Sequence, residues 1–354
     1  MERGYGYDRE AGQMKAVDER DSLSDDRTWL RSNRYGEERS GLLFALTTAL
    51  ISGAAIFVDS YGVKDFSNPT AYTTAKNLVA ALLLCLLAAI IRWKGRKEIN
   101  HAPAASRSDK GAKTLFDHVR VLLGYAYVGI VGGGLAFIAF FDGLARTQPL
   151  QAGFEHDTLV IWVALLAFVF LGERLSWWNL AAMALLVAGA VVAGGGLGRL
   201  VPGEGGLLVL AATLAWSIEV VVSKQLLKWT LPTTLGLVRM GVGVVVLVSY
   251  LAFDGYLRLI FDIDEAQLAW VVLTGMLLAG YVFTWLTALK RSRAVDVTSV
   301  LVASVILTAV LSALTGHTIY APRIGGLILV ALGAGMVLWF RVRHREHEAD
   351  RQIA

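Results

Sequence analysis

"FLGERLSWWNLAAMALLVAGA", residues 170–190, and "LTGHTIYAPRIGGLILVALGA", residues 314–334, are two versions of one segment. Aligned, they set Gly172 on Gly316 and Gly189 on Gly333, and each passes from a short polar turn into an apolar run punctuated by glycine. The likeness extends upstream. NPTAYTTAKN (68–77) matches LPTTLGLVRM (231–240), which sets Pro69 on Pro232 and Lys76 on Arg239, and GLLFALTTALIS (41–52) matches GLLVLAATLAWS (206–217). A proline, a basic residue and two glycines that keep register together argue for a duplicated unit rather than chance.

The composition says where that unit lives. The 354 residues are 55% hydrophobic and only 18% charged, with mean hydropathy +0.55, too apolar for an ordinary water-soluble chain of this size. Apolar runs fall near 41–60, 70–91, 118–141, 150–172, 177–196, 206–226, 233–253, 266–288, 295–315 and 323–340. Each approaches the roughly 20 residues a helix needs to cross a hydrocarbon core of about 30 Å, and open strands cannot span a bilayer. The expected architecture is an all-α membrane protein of ten transmembrane helices. An odd number of spans per copy inverts the second copy relative to the first, so two inverted five-helix repeats should enclose a central cavity. The expected division is a disordered tail 1–40, a first repeat 41–196, a linker 197–205, a second repeat 206–341 and a tail 342–354.

Basic residues set the expected orientation. Most of the 33 lie in the N-terminal tail, in RWKGRKEINHAPAASRSDKGAK, in the short segments GER, KQLLK and LKRSR, and in the C-terminal RVRHREHEADR, whereas the opposite loops hold Lys64, Arg146, Arg199, Arg258 and Arg323. By the positive-inside bias both termini face the cytoplasm across a plasma membrane, a bacterial inner membrane in this reading. Trp93, Trp177, Trp178, Trp229 and Trp339 fall at the same ends, where an indole suits the interface. The single cysteine, Cys85, allows no internal disulfide and no metal-ligand spacing. The balanced tail charges give no argument for nucleic acid, so no cofactor, metal or nucleic acid is expected.

The ten spans, the two copies and the segment FLGERLSWWNLAAMALLVAGAVV resemble the EamA-type branch of the drug/metabolite transporter superfamily, over roughly residues 41 to 341. The resemblance implies a helical bundle around a central cavity and transport, commonly export, of small metabolites. The chain departs from the family pattern in two places. Gly316-His317 stands where the first copy has Gly172-Glu173. Many members also carry a proline in the fourth and ninth spans, whereas all six prolines here lie at or beyond span ends. Any bend in those spans is therefore expected from glycine or cavity water.

Candidate site residues follow from charge in the wrong solvent. Glu155, His156 and Asp157 precede an apolar run that is too short by itself to span. Alignment with the ninth span, whose apolar run begins near Val295 to Val297, places the three inside the fourth span; solvation at its outer mouth is the other reading. Ionisable groups at membrane depth are costly and are kept for function or for helix stitching. Three consecutive positions about 100° apart cannot share a face. The favoured cavity stripe is Glu155 with Trp162, leaving His156 and Asp157 toward neighbouring helices.

Lys76 is expected at a depth like that of Glu155 and Asp157, and Arg239 at that of Glu219. This suggests charge networks of Lys76 with Glu155 or Asp157, and of Arg239 with Glu219, on opposite sides of a central site, with protons as a coupling ion. The plain alternative is that both basic residues snorkel or stitch helices together. Trp162, Trp216 and Trp285 lie near mid-span; packing accounts for them, or they form an apolar aromatic wall suited to an amine, organic cation or zwitterionic amino acid. The run GYAYVGIVGGG (124–134), with Gly129 and Gly133 in G-x-x-x-G spacing, reads as close helix packing first and a hinge second.

Three functions compete for these residues. Secondary transport, export of a small organic metabolite by alternating access, rests on the repeat and the buried charges. A membrane-embedded enzyme using Glu155, His156 and Asp157 lacks any H-E-x-x-H or nucleophile-elbow pattern. A non-transporting receptor or scaffold has little loop surface to work with.

Overall fold

The structure, a computed structural model, describes residues 9–99, 115–173, 176–193, 202–315, 324–337 and 339–340. The first part of the expected linker, Gly316-His317 and the C-terminal tail fall outside the described residues. The elements are α1 (Arg9–Asp65), α2 (Pro69–Ile99), α3 (Leu115–Ala126), α4 (Ala136–Ala145), α5 (Pro149–Asp157), α6 (Leu159–Leu166), α7 (Trp177–Ala193), α8 (Glu204–Leu226), α9 (Pro232–Phe253), α10 (Glu265–Arg291), α11 (Ala294–Leu301) and α12 (Ser304–Leu314), followed by α13 (Ile324–Val337). A π-helical stretch, Tyr127–Leu135, fuses α3 to α4, and another, Ala167–Leu171, extends α6.

Among the described residues, eight helices are long and apolar enough to cross a membrane: Gly36–Asp65, Pro69–Lys94, His118–Ala145, Gln151–Leu171, Glu204–Leu226, Pro232–Phe253, Glu265–Arg291 and Ala294–Leu314. Two more apolar helices, Trp177–Gly189 and Ile324–Val337, are shorter. The expectation of ten full spans is therefore met at full length by eight. Leucine, phenylalanine and valine side chains such as Leu82, Leu122, Phe168, Val169 and Phe253 are exposed on the outer surface, as lipid contact requires and water does not favour. Within the segment 1–40, expected to be a disordered tail, residues 9–35 are described as the first part of α1. They contain no proline, and their arginine, glutamate, lysine and alanine are good helix formers.

Proline marks beginnings here. Pro69, Pro149 and Pro232 stand at the first turns of α2, α5 and α9, where the missing N–H costs nothing. Asn68 caps α2 by accepting from the N–H groups of Thr70 and Ala71 at 2.8 and 3.1 Å. Asp264 and Gln267 form a reciprocal capping box on α10.

The packing pairs helices across the two halves. The contact of α1 with α10 has its mate in that of α4 with α8, and that of α9 with the Tyr127–Leu135 stretch has its mate in that of α2 with α10. Helix α2 lies against α9, its own counterpart, and α1 against α11 and α12 matches α8 against α5 and α6. Exchanging the halves thus returns the same contacts, as a duplicated, twofold-related bundle must. The glycine run performs the closest of these approaches: a Cβ on Gly133 would run into the backbone carbonyl of Arg239, and Gly243 lies against the backbone of Gly133. Away from the centre, α7 and α13 pack on each other through Leu186, Gly189, Val330 and Gly333.

Among the described residues, two rods are interrupted by a tightened turn. Between α5 and α6 the chain tightens at Thr158 (φ −60°, ψ −14°), and between α11 and α12 at Val302 (φ −56°, ψ −25°) and Ala303 (φ −62°, ψ −13°). Three-residue hydrogen bonds replace four-residue ones there: Thr158 N–H donates to the Glu155 carbonyl and Ala303 N–H to that of Val300. Thr158 aligns with Val302 in the register that sets Gly172 on Gly316. These interruptions fall at non-glycine residues, and at Thr158 the hydroxyl bonds back to the Glu155 carbonyl at 2.7 Å.

Candidate functional site

A cavity of about 80 Å³ lies between α1, α2, α4, α5, α6, α8, α9 and α10. Two buried ion pairs open onto it. Lys76 Nζ meets Asp59 Oδ2 at 2.7 Å, and Tyr72 donates its hydroxyl to the other oxygen of Asp59 at 2.6 Å. Arg239 meets Glu219 with two parallel hydrogen bonds, Nε to Oε1 at 2.6 Å and Nη2 to Oε2 at 3.1 Å. All four side chains are at most 6% exposed. Each pair therefore satisfies what a bare buried charge could not, since removing one partner from such a pair typically costs about 3–5 kcal/mol.

Aromatic rings join the two pairs. Phe137 and Phe141, one turn apart on α4, stack with centroids 6.1 Å apart. Lys76 Nζ sits 4.0 Å from the Phe141 centroid, and the Arg239 guanidinium carbon 5.1 Å from that of Phe137. One stacked pair thus presents a ring to each cation. Trp216 packs against Phe137, Phe140 and His156 and donates its indole N–H to the Gly132 carbonyl at 2.9 Å. On the facing wall Tyr281 and Trp285 stack at 6.0 Å.

Of the residues singled out in the sequence, Lys76, His156, Trp216, Glu219, Arg239 and Trp285 line this cavity. Glu155, His156 and Asp157 lie within the Pro149–Asp157 helix, with His156 and Asp157 buried, so solvation of all three at a membrane mouth does not hold. The expected stripe of Glu155 with Trp162 needs correction. His156 and Leu159 face the cavity; Glu155 turns to the start of α8, into space left by Gly206, and accepts from Gln151 at 3.1 Å; Trp162 is 40% exposed on the outside of the bundle. Consecutive ionisable residues leave the choice of face to packing, and a glycine on the neighbouring helix made it.

The partner of Lys76 is likewise Asp59, not Glu155 or Asp157. Asp59 lies near the end of the apolar run 41–60 and so reads as interfacial, but α1 continues to Asp65 and buries it. Also missed were Tyr72, Phe137, Phe141 and Tyr281. The available signal was spacing: Phe137 with Phe141, and Tyr281 with Trp285, each four apart on one helical face.

Asp157 points the other way, toward α12. The Ser304 hydroxyl lies beside its carboxylate, yet neither carboxylate oxygen and not the hydroxyl completes a hydrogen bond. At the end of the bundle where α6 finishes and α11 begins, Glu173 accepts from the N–H groups of Ala294 and Val295 at 2.8 and 3.2 Å and lies 3.7 Å from Arg293. A carboxylate on a helix N-terminus meets both free N–H groups and the positive end of the dipole. Beside it, Lys224 Nζ donates to the carbonyls of Leu289 and Ser292, closing the end of α10.

Comparison with known proteins agrees with this architecture. The model of the EamA-like transporter family matches twice, over residues 39–195 and 203–339. No curated protein matches. A solved structure titled only "Crystal structure of protein" shares the fold with TM-score 0.61 at 18% identity, over 86% of this chain and 98% of the other.

Proposed function

The chain belongs to the EamA-like transporter family, multi-pass membrane transporters of the drug/metabolite transporter superfamily, and on that premise we propose that it carries a small zwitterionic metabolite outward by alternating access. The class favoured is an amino acid with an apolar or aromatic side chain, ahead of simple amines and organic cations. In this reading the protein sits in the plasma membrane, with both termini cytoplasmic.

The observation that carries the reading is the pair of ion pairs on one aromatic-walled cavity. A zwitterion brings one positive and one negative charge and must leave its hydration behind. Here its carboxylate finds Arg239 or Lys76 and its ammonium Glu219 or Asp59, and exchange of partners leaves no charge alone in a low-dielectric site. The stacked Phe137 and Phe141 and the Tyr281–Trp285 wall offer apolar surface to the substrate side chain. A simple amine would use a carboxylate and strand a cation; a polyanion would meet two carboxylates.

The test is thermal stabilisation of purified protein by a set of L-amino acids, amines and nucleosides, followed by counterflow in proteoliposomes. Ligand at about 100 times its dissociation constant stabilises by about 2.7 kcal/mol. Zwitterions such as L-phenylalanine or L-leucine should stabilise the protein and exchange across the membrane. Stabilisation by amines or nucleosides with no response to any amino acid would refute the substrate class.

A further inference from the structure

Asp59, Glu219, Glu155 and Asp157 are carboxylates within the spans, and they differ in what they are bound to. Asp59 and Glu219 are ion-paired, and Glu155 accepts from Gln151 through Oε1 while its Oε2 is buried without a partner. Asp157 is 4% exposed, and neither of its oxygens has a hydrogen-bond partner.

The described residues around it supply no cation. Helices α12 and α7 carry no ionisable residue in Ser304–Leu314 or Trp177–Ala193. From α4 comes Asp142, paired with Arg146. From α1 comes Asp59, already with Lys76, and from α8 Glu219, already with Arg239. Glu204 of α8 lies 3.8 Å from Arg146, and Lys224 of α8 bonds the end of α10. On its own helix the titratable neighbours are Glu155 and His156, and α10 contributes Tyr281. A carboxylate ion so placed is costly, and the smallest group that neutralises it is a proton.

We propose that Asp157 is the proton-carrying residue that couples the transport cycle to a proton gradient, from a position behind the substrate cavity and between the two interrupted helices. The inference rests on the transport reading given above. The chemistry is one reversible step: the carboxylate takes a proton from water on one face of the membrane and, after the bundle rearranges, releases it to water on the other. Ser304 suits both states, since its hydroxyl accepts from the acid and donates to the anion.

The location suits the role as well. Asp157 is the last residue of α5, directly before the turn at Thr158, and Ser304 is the first of α12, directly after the turn at Val302 and Ala303. Any rocking of one half against the other changes this contact. Tyr281, a wall of the cavity, is within electrostatic reach of Arg239, Glu219 and Asp157.

Two measurements on the full chain test this. In lipid at neutral pH, the infrared carbonyl band of a protonated carboxyl should be present in the wild type, absent in Asp157→Asn and displaced in Ser304→Ala; identical spectra for wild type and Asp157→Asn overturn the proposal. In proteoliposomes with L-phenylalanine and L-leucine as probes, the ratio of pH-gradient-driven uptake to counterflow should fall about tenfold or more in Asp157→Asn. An unchanged ratio, or wild-type uptake driven by sodium and not by a pH gradient, overturns it too. Absence of counterflow by the wild type with every amino acid would fail the transport reading instead, and the infrared result would still decide the proton site.

Discussion

Replacing Glu219 with glutamine leaves Arg239 buried beside a neutral amide. The pair is bidentate, at 2.6 and 3.1 Å, and its side chains are 5% and 6% exposed, so water cannot take over the lost charge. In the Glu219→Gln variant the amide keeps one acceptor for one guanidinium N–H, and the Phe137 ring at 5.1 Å contributes about 0.5–2 kcal/mol. Neither offsets the about 3–5 kcal/mol expected when one partner of a buried pair is removed. Removing both charges, as in Glu219→Leu with Arg239→Met, should restore stability to within about 1–2 kcal/mol of the wild type, because two desolvation penalties vanish with the attraction. Reversible unfolding in mixed micelles, run as a double-mutant cycle, measures this. Single variants each within about 1 kcal/mol of the wild type, with additive effects, would mean that the pair behaves as a solvated one and would refute the reasoning. The double variant also separates structure from transport. It should be folded yet fail to counterflow L-phenylalanine, and wild-type counterflow would make the pair a helix fastening alone.

Three further outcomes are expected. Gly133→Ala, whose Cβ would run into the Arg239 backbone carbonyl, should sharply reduce the folded yield, whereas Gly241→Ala, with open space at its Cβ, should be neutral or stabilising by about 0.5–1 kcal/mol; size-exclusion profiles after extraction distinguish them. Glu173→Ala removes the acceptor of two α11 N–H groups, a loss of about 1–3 kcal/mol, and should speed thiol labelling of a cysteine placed at Ser292, with Glu173→Gln intermediate; unchanged labelling would show that this contact does not hold the end closed. Phe141→Leu takes away the ring 4.0 Å from Lys76 and should weaken L-phenylalanine stabilisation of the protein by about 0.5–2 kcal/mol, read as a smaller melting shift at fixed ligand.

How much of this was legible follows from what each residue needs. The duplication and the helical class were readable because apolar length and repeated Pro69/Pro232 and Gly189/Gly333 spacings are properties of the chain itself. The approach of Arg239 to Glu219 was readable from depth, since both lie about seven residues from one end of adjacent spans. The facing of Glu155 was not, because it depends on Gly206, on a helix of the other repeat, leaving room for a carboxylate. Nor was Asp59, because whether an aspartate near a span end is wet or buried depends on how far the helix continues past it. The turns at Thr158 and at Val302 and Ala303 carry no sequence signature of a break, and only the register of the repeat makes them a matched pair.

That register also separates what was duplicated from what was not. Lys76 and Arg239 are equivalent, but their carboxylates are not: in the alignment that sets Gly41 on Gly206, Asp59 falls on Lys224 and Glu219 on Ala54. Asp157 falls on Leu301 and His156 on Val300 in the alignment that joins Gly172 to Gly316. The backbone frame, with its cross-half contacts and two interruptions, therefore obeys the twofold exchange, while the acids placed on it do not. In a strictly symmetric bundle the inward and outward states would be equal in energy by construction. Among the described residues, only one interrupted helix holds a carboxylate at its break, so the two states differ in electrostatic energy. An asymmetry of this kind sets the relative populations of the inward and outward states, while direction of net travel is set by the gradients across the membrane.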